Sequence, residues 1–448
     1  MKNPRMTVRA RGVAMVSAAA LLHFVPQIAE AQQLPDPAEH VDAQALATLA
    51  QQLVRIRSDY DEGVLANHRE MAAFLARLFR EELGMEVHVV EPTPNYPTVI
   101  GRLRGSTGRP ALGMIAHYNT VAVGDTSKWE RDPFGGEIRD GVLYGLGAAD
   151  QKMPIAATIE AVRAIKKAGI QLDGDLVLLM IPGEGAQVHS LPHIVRDQPE
   201  LLKADWYLDT EGGSDILQVS GGWIWVKITV QGITGHTAGT RAGGGGRPVN
   251  AIYRLARILT ELEDVDRWLR YERHPLFQLP LYGGKPVVEV GKIEGGYKVN
   301  QVPDHAEAQV DIRMFPGQTP ESVLADIRAV FARLKAGDPE LNADVMIMTQ
   351  QWVPMKYWET LKDDDPLIKA IRDVAPPLLG RTPEWRGGIG GGRPDIWATG
   401  ATYVSFGGGG GGGNAHSPNE FASIEGGVTR SKLYSRLIVR MLAANARR

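Results

Sequence analysis

Residues 155–181 have the sequence IAATIEAVRAIKKAGIQLDGDLVLLMI, and this stretch decides the fold class. Its first half repeats apolar residues at helical spacing, which predicts a helix over Ile155–Ala168. Its end, Leu176–Ile181, is continuously apolar and predicts a buried strand. Another strand is predicted upstream, over Ala111–Ile115. Strands that alternate with a helix in this way indicate an α/β layer with a largely parallel sheet.

The pattern changes near Trp223, where predicted elements follow in the order β-α-β-β-α-β. They are Trp225–Val230, Pro248–Leu262, Val287–Ile293, Ala306–Met314, Pro320–Leu334 and Ala343–Thr349. This order is the ferredoxin-like signature. After Trp352 the chain returns to helix and strand, and it ends in a predicted helix over Val428–Ala444. The sequence therefore predicts a mainly parallel sheet with helices on both faces over 32–221 and 352–448, interrupted by a ferredoxin-like α+β domain over 222–351.

The composition narrows the possible chemistry. The 448 residues include no cysteine, which excludes disulfides, thiolate metal ligands and a cysteine nucleophile. A metal site must therefore use histidine, aspartate and glutamate. The formal net charge is −3, and no basic stretch in the body of the chain indicates a nucleic-acid partner.

The N-terminus, residues 1–31, has the pattern of a secretory signal peptide. A basic segment, Met1–Arg11, precedes the apolar Gly12–Val25 and an Ala-x-Ala cleavage pattern at 29–31. An amphipathic N-terminal helix is the alternative interpretation. No later segment reaches the length of a membrane span. We therefore expect an exported protein, located in the periplasm.

Potential metal ligands follow the ends of several predicted strands or begin a helix. They are His117, Asp150, Glu184, the pair Asp209 and Glu211, and His416. In an open parallel sheet, sites form outside the carboxyl ends of the strands, so these side chains should converge. Imidazole and carboxylate groups are ligands that zinc accepts. Each residue alone has a plainer interpretation, as a surface histidine, a helix cap or a loop carboxylate.

Four motifs strengthen this interpretation: Trp129 with Asp132-Pro133-Phe134, then Gly145–Lys152, Gly235–Gly239 and Ala415–Glu420. In this order they resemble the zinc metallopeptidases and amidohydrolases that include aminoacylase, acetylornithine deacetylase, succinyl-diaminopimelate desuccinylase, carnosinase and glutamate carboxypeptidase. The resemblance covers roughly residues 40–445. It implies a zinc-exopeptidase-like catalytic domain, formed by the two flanking segments, and an inserted lid or dimerisation domain.

The resemblance also implies roles for individual residues. His117 would bind the first metal, Asp150 would bridge two metals, and His416 would bind the second. The remaining ligand of the first metal would be Glu211, with Asp209 as the alternative. Glu184 would be the general base that activates water for attack.

The inserted domain would supply further groups. The resemblance implies that His236 stabilises the oxyanion, often across the interface of a homodimer. Asn300 and Arg313 stand where the family binds a substrate carboxylate. In the segment Gly391–Asp395, Arg393 would either pair with a substrate carboxylate or brace its own loop.

The sequence departs from the family pattern at two positions. Asn119 stands where the family has an aspartate, so His117 would have a neutral hydrogen-bond acceptor behind it. Gly185 stands where the family has a second glutamate that binds the second metal. A shifted alignment would make Glu184 that ligand and leave the chain without its base. His189 is a possible substitute ligand. We expect one tightly bound zinc ion and at most a weak second site.

Two functions remain open at this point. The first is metal-dependent hydrolysis of an amide bond in a small peptide or an N-acyl amino acid. The second is non-catalytic binding of such molecules on the same scaffold, which the residues Asn119 and Gly185 would allow. A remodelled metal centre acting on an unusual amide is a variant of the first.

Overall fold

The computed structural model describes residues 34–59, 68–183, 190–238, 247–273, 275, 284–348, 361–389, 396 and 398–443. The segment predicted to be a signal peptide lies outside these ranges. Within them, every helix is too short or too polar to cross a bilayer.

The described elements follow the predicted alternation. The helices are α1 (Ala43–Arg55), α2 (His68–Glu81), α3 (Met153–Lys167), α4 (Ser190–Asp197), α5 (Ala251–Glu263), α6 (Pro320–Gly337), α7 (Pro366–Val374), α8 (Pro376–Leu379) and α9 (Ile424–Leu442), and a π-helical turn, Ala148–Lys152, precedes α3. The strands are β1 (Glu86–Val90), β2 (Thr98–Leu103), β3 (Ala111–His117), β4 (Glu137–Arg139), β5 (Val142–Tyr144), β6 (Asp175–Ile181), β7 (Trp206–Asp209), β8 (Ile216–Gly221), β9 (Trp223–Gln231), β10 (Gly235–His236), β11 (Val287–Gly295), β12 (Gln301–Val302), β13 (His305–Arg313), β14 (Asn342–Ile347), β15 (Trp385–Ile389), β16 (Thr402–Ser405), β17 (Gly412–Gly413) and β18 (Phe421–Ser423).

The largest sheet has eight strands in the order β1-β2-β6-β3-β7-β16-β8-β15. Its centre is parallel, because β3 pairs in parallel with β6 and β7, and β7 with β16. Every residue of β3 and β6 is buried, as expected for strands covered on both faces. The predicted strand ended at Ile115, but β3 continues to His117, which places that histidine at the carboxyl end of the strand.

The second large sheet has four antiparallel strands in the order β11-β13-β9-β14. Together with α5 and α6 it forms the expected ferredoxin-like unit. The unit has its own hydrophobic core, which includes Val226, Leu255, Ile312 and Ile327. Sheet membership changes between the end of β8 and the start of β9, so the chain enters this unit at Gly222. The return of the chain at 349–360 lies outside the described residues.

Two predicted helix starts were wrong by three or more residues, and both differences have local causes. The helix predicted from Pro248 begins at Ala251, because the Asn250 side chain caps it by accepting the N–H of Tyr253. The last helix was predicted from Val428 but begins at Ile424, after the cap Ser423. The glycines in its first turn hid this start. Gly426 is required there, since an added Cβ would lie 1.5 Å from the carbonyl oxygen of Gly410.

Candidate metal centre

The carboxyl edge of the large sheet carries the candidate centre. His117 ends β3, Asp209 ends β7 and Glu211 follows it by two residues. Asp150 lies in the turn before α3, and His416 lies in the loop between β17 and β18. Three of these residues meet directly, as the sequence pattern predicted.

Asp150 joins the two histidines. One oxygen, Oδ1, lies 3.0 Å from Nε2 of His117, and the other, Oδ2, lies 3.0 Å from Nε2 of His416. The His117 side chain is only 3% exposed, whereas that of His416 is 57% exposed. The cluster therefore has a buried side and a side open to solvent.

Asn119 fixes the orientation of the His117 ring. Its Oδ1 lies 3.0 Å from Nδ1 of His117, and its backbone oxygen lies 3.2 Å from the same nitrogen. Both partners are acceptors, so Nδ1 carries the proton and donates. With the proton on Nδ1, Nε2 is the ring nitrogen that would donate its lone pair to a metal ion, and in the structure it lies within hydrogen-bonding distance of Asp150. The neutral amide thus fills the position that the resemblance assigns to a carboxylate.

The electrostatics of Asp150 reflect its neighbours. Burial opposes ionisation of the carboxyl group, but the adjacent His117 and His416 outweigh burial and hold the pKa of Asp150 below its usual range. The residue is therefore a carboxylate at neutral pH. The carboxylate and the two imidazole nitrogens are donor types that zinc would accept.

Glu420 holds Asp150 in place, a role that sequence reasoning missed. Its carboxylate accepts the backbone N–H groups of Gly147, Ala149 and Asp150 at 2.8, 2.9 and 3.0 Å. Glu420 is 1% exposed, and burial raises its pKa to about 7 against the effect of these donors. Because Glu420 follows His416 by four residues, this contact also brings the two loops together. The motif Ala415–Glu420 was the available signal, but it does not reveal the partners.

Gln151 and Lys152, which follow Asp150 in the chain, form part of the buried side of the centre. The Gln151 side chain accepts the backbone N–H of His117 at 3.1 Å. Lys152 is 1% exposed and donates to the backbone oxygen of Ile56 at 3.0 Å. Burial lowers the pKa of Lys152 to about 7, and the negative charge of Glu420 opposes that shift.

The structure distinguishes Asp209 from Glu211. Asp209 is fully buried, and its carboxylate accepts the Tyr403 hydroxyl and the backbone N–H of Glu211. The Ser405 hydroxyl donates to the backbone oxygen of Glu211 at 3.0 Å. Both oxygens of Asp209 are thus engaged within the sheet, where they position Glu211. Glu211 is half-buried beside the glycines that follow it.

The inserted domain holds its predicted residues at two opposite ends. His236 lies in β10 opposite Gln301, and the Asn300 backbone oxygen accepts the N–H of Thr237 at 3.3 Å. His236 is exposed, and within the described residues its ring makes one hydrogen bond, from Ala238 N at 3.1 Å. Arg313 lies at the far end of β13 and donates to Asp311 at 2.8 Å. The eight residue steps of β13 extend about 27 Å, so His236 and Asn300 lie far from Arg313.

Most of the chain matches one known protein family. Residues 113–440 match the model of peptidase family M20/M25/M40. The chain belongs to this family.

Relatives in the family differ in the groups they remove. The chain is 29% identical over 279 residues to the N-formyl-4-amino-5-aminomethyl-2-methylpyrimidine deformylase of Bacillus subtilis, which covers 58% of this chain and 61% of that enzyme. It therefore spans about three fifths of the length of that relative. It is 29% identical over 349 residues to the succinyl-diaminopimelate desuccinylase of Stenotrophomonas maltophilia, covering 75% of this chain and 85% of the desuccinylase.

A solved structure shares the fold. Human carnosine dipeptidase 1 superposes with a TM-score of 0.73 at 17% identity, covering 90% of this chain and 98% of the dipeptidase. At this identity the likeness shows the fold alone.

Several residues singled out by their resemblance to the family lie outside the described ranges. They are Glu184, Gly185, His189 and Arg393. Within the described residues, no group of three or more His, Asp and Glu side chains is already arranged to hold a metal ion. There the Asp150 oxygens bond directly to the two imidazoles, although the donor types and the His117 tautomer fit a metal.

Proposed function

We propose that this chain is a metal-dependent hydrolase that cleaves the amide bond of a small peptide or an N-acyl amino acid. One observation carries the proposal: the two oxygens of Asp150 face Nε2 of His117 and Nε2 of His416 at 3.0 Å each. In this position each oxygen of Asp150 could share a metal ion with one of the two histidines.

The residues that would hold the metal are His117, Asp150, Glu211 and His416. Zinc suits these nitrogen and oxygen donors. When bound, such a metal supplies Lewis acidity at the scissile carbonyl and makes water a nucleophile near neutral pH. A family peptidase from Bacillus subtilis is a dinuclear metal-binding protein. In this chain Gly185 replaces the expected second glutamate, so we propose one tightly held ion and a weaker second one.

The protein's own groups would then carry the protons and orient the substrate. Glu184 accepts a proton from the attacking water and delivers it to the leaving nitrogen. Asn119 keeps Nδ1 of His117 protonated. His236 donates a hydrogen bond to the oxyanion that develops on the carbonyl.

The position of His236 favours a contribution from a second copy of the chain. Arg313 lies at the end of β13 near Gly222, whose backbone oxygen accepts the N–H of Met314 at 2.7 Å, where the inserted domain begins. His236 lies at the opposite end of the domain. In a homodimer, the end of the inserted domain that carries the partner's His236 could approach the metal centre of this chain. The edge strand β11 offers a surface for it, with Val290 and Ile293 exposed by 41% and 57%.

The substrate class follows from the site and from the reactions named for the relatives. A deformylase, a desuccinylase and a dipeptidase all break a bond between a carbonyl carbon and nitrogen. We propose the same bond for this chain. The signal-like segment 1–31 supports an exported, periplasmic location.

Metal analysis tests the proposal together with hydrolysis assays. The purified protein is dialysed, its zinc content is measured, and a panel of dipeptides and N-acyl amino acids is assayed by amine release. We expect about one zinc per chain, loss of turnover with a chelator and recovery on adding zinc. Two zinc ions that survive dialysis would show that another residue completes the second site.

Asp150→Asn provides the matched variant, because it keeps the shape of the side chain and removes the bridging charge. We expect it to remain folded but to lose metal and turnover together. Undiminished turnover in the metal-free protein would overturn the proposal. Binding of the panel without hydrolysis, by a protein that holds its zinc, would instead support the non-catalytic alternative.

A further inference from the structure

Beside the candidate centre lies a cavity walled by glycines. It has a volume of about 450 Å³, within the usual range for small-molecule sites. Its lining includes Ala149, which precedes Asp150, and Gly212–Ser214, which follow Glu211. Gly409–Gly412, a few residues before His416, form another wall. The cavity therefore adjoins the elements that carry three of the candidate metal ligands.

Among the described residues that line this cavity, one carries a charged side chain. Arg430, on α9, is 8% exposed and is one of the lining residues. Its Nε donates to the backbone oxygen of Gly409 at 3.0 Å, and Nη2 donates to the same oxygen. Within the described residues it has no other hydrogen-bond acceptor and no salt-bridge partner. Nη1 therefore has no acceptor among the described residues.

A guanidinium without a counter-charge among the described residues is suited to bind an anion. Burial lowers the pKa of Arg430, and Tyr434 is the group that opposes this shift. The side chain still stays charged at neutral pH, since arginine does not lose its proton in proteins. A buried charge without a counter-charge is costly, and a carboxylate is the group that a guanidinium fork binds best.

The glycines are what make room for such a group. A Cβ at Gly410 would lie 3.0 Å from Nη2 of Arg430, and one at Gly412 would lie 3.1 Å from the Cβ of Ala149. At Gly213, by contrast, an added Cβ meets no atom within 4 Å. A side chain at any of the seven positions Gly407–Gly413 would narrow the space between Arg430 and the centre or strain its walls.

We propose that Arg430 and this glycine-walled cavity bind a carboxylate that the substrate carries at a distance from the scissile amide. This inference rests on the proposed function and names the substrate class: an amide that bears an anionic arm. Arg430 thus acts as a specificity-determining residue. The competing explanation is that Arg430 only braces the glycine run through Gly409.

Matched substrates distinguish recognition from bracing. N-succinyl-alanine and N-butyryl-alanine differ by a carboxylate on the acyl arm, and N-acetyl-glutamate and N-acetyl-norvaline differ by one on the amino-acid side chain. We expect kcat/KM to favour the anionic member of one pair by about 10- to 100-fold, the usual range for a charged hydrogen bond. Arg430→Gln keeps a donor for Gly409 but removes the charge, so it should abolish that preference and spare the neutral member.

Tyr434→Phe is the control for bracing. The Tyr434 hydroxyl donates to the backbone oxygen of Gly407 at 3.0 Å, so this change also loosens the glycine run from α9 but leaves the charge. We expect the preference to survive. An equal loss on both members of each pair in Arg430→Gln, or no preference in the wild type, would overturn the proposal.

Two further measurements keep the result interpretable. Gly213→Val adds bulk to the cavity wall at a position where a Cβ meets no atom within 4 Å, and it should weaken the preference even if Arg430→Gln does not fold. Binding is tested separately from turnover, by the shift in melting temperature with glutarate and with butyrate. Stabilisation by glutarate that is lost in Arg430→Gln would support the cavity even if no substrate is hydrolysed. Equal shifts in the wild type and the variant would contradict it.

Discussion

The edge of the eight-stranded sheet and the inserted domain present their candidate functional residues in opposite ways. At the sheet edge, His117 and the nearby Asp150 are surrounded by hydrogen-bond partners that fix their positions. In the inserted domain, His236 lies in the two-stranded pair of β10 with β12, is exposed, and its ring makes one hydrogen bond within the described residues. The first group is organised by the fold of this chain. The second has no described contact with the cluster that it is proposed to serve.

The position of His236 therefore makes the assembly of the centre depend on domain motion or on a partner chain. Glu420 ties the turn before α3 to the loop of His416, so the metal-binding half is built once the chain folds. The oxyanion donor must be brought to it. Substitutions around His117 and Asp150 should therefore change metal binding or the rate of the reaction directly. Substitutions at His236 should leave metal binding unchanged and lower only the rate of the fully assembled site.

The largest expected effect belongs to the base. We predict that Glu184→Gln keeps the fold and the zinc content and reduces kcat by about 10²–10⁴, the usual contribution of a positioned acid–base group. The change removes the charge that accepts the proton while keeping the size of the side chain. Steady-state assays and metal analysis on the same preparation measure both quantities.

The outcome also decides the alignment around Gly185. If Glu184→Gln loses metal instead of turnover, Glu184 is a ligand and the shifted alignment is correct. An unchanged rate would place the base elsewhere.

The next largest effect is expected at His236 in the inserted domain. His236→Ala should keep zinc and fold but lose about 10²–10³ in kcat, as when one oxyanion donor is removed. If the donor comes from the partner, mixing His236→Ala chains with Glu184→Gln chains restores one intact site in each mixed dimer. About a quarter of the wild-type activity is then expected after equal exchange of subunits.

The control is each variant incubated alone under the same exchange conditions. No recovery despite proven subunit exchange, or a monomer in solution, would rule out the arrangement across an interface. Domain closure within one chain would then have to bring His236 to the centre.

A smaller effect measures how firmly the first half is organised. Asn119→Ala should weaken zinc affinity by about 10- to 100-fold, because it removes the acceptor that orients His117. Asn119→Asp should bind zinc more tightly than the wild type, since a carboxylate makes the imidazole a better donor. Competition with a chelator gives both values. Equal affinity in all three proteins would show that Asn119 has no influence on the ligand.

The sequence predicted those parts of the molecule whose signal is local. The apolar run Leu176–Ile181 became β6, and the predicted meeting of His117, Asp150 and His416 is present, with His117 at a strand end, Asp150 in the turn before α3 and His416 in a loop. The short strands β4, β5, β17 and β18 were not predicted, because two or three residues show no periodicity. Glu420 and Arg430 were not assigned roles, because their partners are backbone atoms 270 and 21 residues away.

The smallest expected effect is a pH dependence of the free energy of unfolding, which should arise near His117 and not in the inserted domain. His68 is 3% exposed, and burial lowers its pKa below the usual 6.5, although Ser58, Asn95 and the charge of Asp59 oppose the shift. The nearby charge of Lys152 lowers it further. Its Nε2 lies 3.1 Å from the Ser58 oxygen, and the Ser58 hydroxyl donates to the Tyr118 oxygen at 2.6 Å, next to His117.

The sign of the dependence follows from proton binding. The folded state holds fewer protons on His68 than the unfolded state between the lowered pKa and about 6.5. Its contribution to the free energy of unfolding is therefore complete above about pH 6.5 and is lost as the pH falls, by at most about 1.4 kcal/mol per pH unit for one proton. Denaturant unfolding at pH 5.5 and 7.5 measures it. His68→Gln should remove the His68 part of this difference, whereas His236→Gln, at an exposed position, should leave the difference as in the wild type; the opposite contribution of Glu420, whose pKa is raised to about 7, is common to all three proteins. An identical pH response in the His68 variant and the wild type would show that the buried ring is not what couples protons to the folding of this half.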